Sequence, residues 1–169
     1  MITKFQIAVY CLILTMLYAS GSDSIVRIPN PVDDKFTSLV PSTITKIKIE
    51  AVTLDEHDGS INGVVGTKEL NGPATTSFLS KWRHVAYTQE ANLCDPQPGY
   101  RISFYRSDGQ LFSVAEICFE CGVILFRKAA SDKAYFGQMN FHAHSKTSST
   151  LRSYLAHLFP GHDPDAAKL

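Results

Sequence analysis

The chain has 169 residues, a length that suits one domain with a buried core and calls for no second one. Lys plus Arg and Asp plus Glu are both 16, so no net basic field exists to attract nucleic acid or an anionic membrane surface. Those partners are excluded first, and an unknown protein or a small ligand is the partner class that remains.

The chain opens MITKFQIAVYCLILTMLYASG: Lys4 supplies positive charge, Phe5 to Tyr18 is almost wholly apolar, and Ala19-Ser20-Gly21 puts small residues at the cleavage positions. Residues 1–21 therefore read as a signal peptide. The apolar run falls short of the roughly 20 residues of a membrane span, so no transmembrane anchor is expected after cleavage. The expected location is exported, in the periplasm or secreted, where disulfides form and persist. Cys11 leaves with the leader, which keeps Cys94, Cys118 and Cys121 in the mature chain. An odd count leaves one thiol over from any pairing.

Residues 22–41, with Pro29, Asn30 and Pro31, show no sustained period and read as an extended N-terminal arm. A domain is expected over residues 42–160, followed by a polar tail over 161–169. Thr45 to Leu54 alternates, with Ile47, Ile49 and Ala51 on one side and Lys46, Lys48 and Glu50 on the other, which predicts a strand with one face wet. "INGVVG" predicts a short second strand. From Pro73, "PATTSFLSKWRHVAY" spaces Phe78, Leu79, Trp82, Val85 and Ala86 as a helix does, with Pro73 in the first turn.

The stretch "GYRISFYRSDGQLFSVAEICF" alternates on both sides of Asp108-Gly109, a dipeptide suited to a two-residue hairpin turn. That turn sets Ser107 opposite Gln110, Phe104 opposite Ser113, Ile102 opposite Ala115 and Tyr100 opposite Ile117, a face that also takes Leu111 and Phe119 and carries the core. The other face sets Arg101 against Glu116 and Ser103 against Val114. Cys118 falls on this more polar face, and Cys121, if the strand continues, on the core face. A last strand over Tyr135 to His144 precedes a terminal helix in "KTSSTLRSYLAHLF", closed by Pro160-Gly161. The fold class is α+β: a largely antiparallel sheet of four to five strands with two packed helices, in the order β-β-α-β-β-β-α.

Three chemistries compete for the cysteines. Residues three apart on a straight strand lie about 10 Å apart, too far for a bridge from Cys118 to Cys121 unless the chain bends. A disulfide from Cys94 to Cys118 or to Cys121 would close a loop of about 25 residues and stabilise by about 3 kcal/mol. This structural reading comes first. A zinc or copper site would add a histidine to the three thiolates, although the spacing lacks the paired C-x₂-C halves of a strong zinc signature. A C-x-x-C redox pair comes last, because Glu120 and a preceding strand disfavour a thiolate. His142 and His144, alternating on the expected last strand, would point to one face and could complete a metal site; two solvated side chains are the blander reading.

No G-x-S-x-G, H-E-x-x-H or phosphate-cradling glycine loop is present, and nothing marks the chain as an enzyme. A Cys–His nucleophile pair, Cys118 with His142 or His144, depends on the fold. Gly63-Val64-Val65-Gly66 before a helix, Cys94-Asp95-Pro96 at the start of a strand, and Ile117-Cys118-Phe119-Glu120-Cys121 at the end of a hairpin resemble an uncharacterised group of exported or envelope-associated bacterial proteins. The likeness covers roughly residues 60 to 160. It departs at Gln97-Pro98-Gly99, where members carry basic residues, and this speaks against a basic pocket beside the cysteines. The group supplies no reaction. The sequence thus points to a small exported protein, binding or structural, with a three-cysteine cluster; a metalloprotein, a thiol–disulfide protein and a periplasmic inhibitor are the alternatives.

Overall fold

Pairing follows the alternation of apolar residues wherever that alternation is strong. The computed structural model describes residues 40, 43–55, 57–90, 93–130 and 134–162. The expected signal peptide, all of the N-terminal arm except Val40, and the tail beyond His162 lie outside them. Among these residues nine elements succeed one another: β1 (Ile44–Leu54), β2 (Ile61–Asn71), α1 (Pro73–Arg83), β3 (Tyr87–Thr88), β4 (Tyr100–Arg106), β5 (Leu111–Cys118), β6 (Val123–Arg127), β7 (Gly137–Phe141) and α2 (Lys146–Leu158). The strands form one sheet in the order β2-β1-β4-β5-β6-β7-β3, antiparallel throughout. The α+β class and the two helices match the expectation.

The strand number does not: the sheet has seven strands, where four to five were expected. β6, "VILFR", is buried on both faces and so shows an unbroken apolar run in place of period-2 alternation. β3 has two residues, too few to carry any period. β2 runs on through "TKELN" to Asn71, but it is an edge strand exposed along most of its length and has little reason to alternate. The last strand is shorter than expected and ends at Phe141.

Rows of side chains cross the sheet. Ala51, Tyr100, Ile117, Ile124 and Met139 are successive partners, as are Ile49, Ile102, Ala115 and Phe126. All nine are buried, in one cluster with Phe78, Leu79 and Trp82 of α1 and Leu151 and Leu155 of α2. The Trp82 ring meets Phe104 edge-on at 5.6 Å, the preferred aromatic arrangement. α1 starts with Pro73 and ends at Arg83, short of Val85 and Ala86. α2 is capped by Ser145, whose Oγ accepts the Ser148 N–H at 3.2 Å.

The β4–β5 hairpin holds the expected pairs from Tyr100–Ile117 to Phe104–Ser113, by a different route. The Gly109 N–H donates to Arg106 O and the Arg106 N–H to Gln110 O, both at 3.0 Å, with Gly109 at φ 80°. The connection is therefore a three-residue loop with a left-handed glycine, and Ser107 does not oppose Gln110. A bulge next to the Tyr105–Leu111 pair restores the register. It turns Leu111 out to solvent and packs Phe112 against the core, reversing the expected face of Leu111. Among the described residues no helix is long and apolar enough to cross a membrane.

Candidate functional site

The cysteines meet where β5 ends. Residues 93–99 carry Cys94 across this end of the sheet, and Gly99 is pinned by its C=O accepting the Val52 N–H and its N–H donating to Ile117 O, both at 3.1 Å. Cys94 and Cys121 form a disulfide with Cα atoms 5.6 Å apart, inside the normal range, and a sequence separation of 27. Of the two partners open to Cys94 in the sequence, Cys121 is the one bonded.

Cys121 is not on the core face. β5 stops at Cys118, and residues 119–122 turn the chain into β6, with the Gly122 N–H donating to Phe119 O at 3.3 Å and Gly122 at φ 62°. The bend swings Cys121 onto the outer face, where it joins Cys118, Val123 and Leu125 in a small apolar cluster. Phe119 remains in the main core. Cys118, outside the bridge, is 1 % exposed, and its Sγ accepts the Cys121 N–H at 3.3 Å.

An open depression of about 800 Å³ lies against the bridge, lined by Leu93, Cys94, Glu120, Cys121, Phe141 and the segment His142–Ser145. His142 and His144 do not alternate on a strand, because β7 has ended and the chain turns toward α2. The His142 N–H donates to Ala86 O at 2.9 Å and the Ser145 N–H to His142 O at 3.0 Å. Both imidazoles are exposed, and both line the depression. Among the described residues no group of three or more His, Cys, Asp or Glu is placed to hold a metal ion. A zinc or copper ion would need Cys94 and Cys121 reduced, since thiolates are the ligands.

Arg101 and Glu116 oppose each other as expected, inside a longer ladder of charge on the same outer face. Glu50, Arg101, Glu116 and Leu125 are successive partners across β1, β4, β5 and β6. Glu116 is 1 % exposed. Its Oε1 lies 3.5 Å from Arg101 Nε and its Oε2 3.2 Å from an Arg127 terminal nitrogen, and the Tyr135 hydroxyl donates to Oε2 at 2.9 Å. Arg127 also bonds the Tyr135 hydroxyl. Glu50 lies 3.8 Å from Arg101 and 2.6 Å from Lys48. Burial, followed by the Glu116 charge, pushes the Tyr135 hydroxyl above its usual range. The hydrogen bond to Glu50 raises the Lys48 ammonium against the opposing pull of desolvation.

Carboxylates and guanidiniums balance along this ladder, an arrangement that holds strands in register and leaves little unspent charge for a ligand. Glu50 and Lys48 carried a sequence signal, since both share the wet parity of β1. Arg127 and Tyr135 depended on recognising β6 and the chain that returns from it. Comparison of the chain with protein-family models, with curated proteins and with solved structures returns no match.

Proposed function

We propose that the protein is an exported, non-enzymatic binding module that takes a small ligand or a partner's side chain in the depression beside the Cys94–Cys121 bridge. The observation that carries this reading is the make-up of that depression. Leu93, Phe141 and Ala143 offer apolar surface, while Glu120, His142 and His144 offer a few polar groups, the usual mixture of a ligand site. The bridge ties the segment that bears Leu93 to the turn between β5 and β6, so the site is held before a ligand arrives.

The test is the intact mass of the exported chain, non-reduced, under native and denaturing spray. The expected result is a chain lacking residues 1–21, with the mass deficit of one disulfide retained on denaturation. A metal-sized increment lost on denaturation, with every thiol reduced, overturns the reading in favour of a zinc or copper protein using the cysteines with His142 or His144. A retained leader overturns the exported, cleaved form. Binding at the depression is tested by titrating imidazole and indole, as fragment probes, into isotopically labelled protein. Shifts confined to residues 93–94, 120–121 and 141–145 support the site, and shifts spread over the surface or absent from those residues count against it.

A further inference from the structure

Two cysteines of a C-x-x-C pair share one apolar cluster at a bend, and one of them is already bonded to a third cysteine. The turn at residues 119–122 brings Cys118 Sγ to 3.3 Å from the Cys121 backbone nitrogen and places both side chains in one apolar cluster. That removes the obstacle of about 10 Å that a straight strand would set between them. The Cys121 N–H points at Cys118 Sγ, which fixes the thiol beside the residue that carries the bridge. On the other side of Cys121, Cys94 is exposed and borders the depression that Glu120, His142 and His144 also line.

We propose that Cys94, Cys118 and Cys121 form a thiol–disulfide exchange centre with two alternative bridges, and that Cys94 is the thiol it delivers to a disulfide-bearing partner. The Cys118 thiolate attacks Cys121 Sγ. The Cys118–Cys121 bond forms as the Cys94–Cys121 bond breaks, and Cys94 leaves as a thiolate into the depression. The proton shed by Cys118 ends on Cys94 or on a neighbouring imidazole. One disulfide is lost and one gained, so the step needs no oxidant or reductant. The exposed Cys94 thiolate can then attack a partner's disulfide, forming a mixed disulfide and releasing the partner's other sulfur as a thiolate.

This goes beyond the binding reading and does not depend on it. Both bridged forms have the same mass, so an intact mass that supports the binding reading is blind to the exchange, and the exchange can fail while the binding reading stands. The direct experiment treats the folded, non-reduced protein with N-ethylmaleimide at mildly alkaline pH, quenches in acid, and maps bridges and labels by mass spectrometry. The expected product carries maleimide on Cys94 and a Cys118–Cys121 bridge, and it accumulates because the label traps the minor form. Cys118→Ala keeps Cys94 and Cys121 bonded with no thiol to open the bridge, so it should take no maleimide on Cys94. If that variant folds poorly, Cys118→Ser gives the same comparison. Wild-type protein that keeps Cys94–Cys121 as its sole bridge and labels only on denaturation overturns the proposal. So does wild-type protein whose label sits on Cys118 alone with the Cys94–Cys121 bridge kept.

Discussion

The two faces of the central strands are both buried and are held by different physics. On the helix-covered face, rows such as Ala51–Tyr100–Ile117–Ile124–Met139 meet Phe78, Trp82, Leu151 and Leu155, and stabilisation comes from apolar area without regard to direction. On the outer face, Glu50–Arg101–Glu116 and Arg127 replace such a row, and their burial is tolerable only because each charge has an opposite one beside it. The first face is forgiving of identity and sensitive to volume. The second is the reverse, sensitive to the loss of any one charge and indifferent to hydrophobic size.

The largest expected effect is on the apolar face. Trp82→Ala should cost about 3–5 kcal/mol in urea unfolding, the range for a large aromatic removed from a packed core. Trp82→Phe should cost much less, because the indole N–H has no hydrogen-bond partner among the described residues to lose. Next is the charged face. Glu116→Ala should cost about 2–3 kcal/mol, below the full penalty for stranding buried charge because the Arg101 and Arg127 side chains keep 16 % and 18 % of their exposure. The combination Glu116→Leu, Arg101→Met and Arg127→Met should recover most of that loss. A combination that stays as unstable as Glu116→Ala would show that the ladder contributes more than its own neutralisation.

The smallest effect is in pH. Tyr135 and Lys48 on the outer face, and the half-buried Tyr87, all have folded-state values raised above the ordinary ones. Each binds its proton more tightly when folded, so its contribution is complete below the unfolded pKa and is lost as pH rises through the folded value. The unfolding temperature should therefore fall above about pH 10, where tyrosine and lysine ordinarily titrate. Tyr135→Phe should soften that fall. A slope unchanged in Tyr135→Phe would assign the alkaline limit to Tyr87, Tyr154 and Lys48.

Legibility in the sequence tracked alternation. β1 and the β4–β5 hairpin were readable because one face is apolar and the other polar or small, and the hairpin pairs from Tyr100–Ile117 to Phe104–Ser113 appeared in the expected register even though the turn was of another type. β6 was not readable as a strand because burial of both faces erased the period, and β3 was too short to have one. The candidate site suffered from the same gap. Once β6 is missing, β5 has no reason to stop at Cys118, and Cys121 is assigned to the wrong face.

By itself, the sequence determined the α+β class, both helices, the hairpin register from Tyr100–Ile117 to Phe104–Ser113 and the Arg101–Glu116 pairing. These follow from periodicity and short-range geometry, which every residue carries locally. Only the tertiary structure decided that Cys94 bonds Cys121, that His142 and His144 reach the same depression from beyond a strand, and that the outer face extends its charge ladder to Arg127 and Tyr135. Each of these joins residues distant in sequence, and their proximity is set by where strands end and turn, a property that no local pattern encodes.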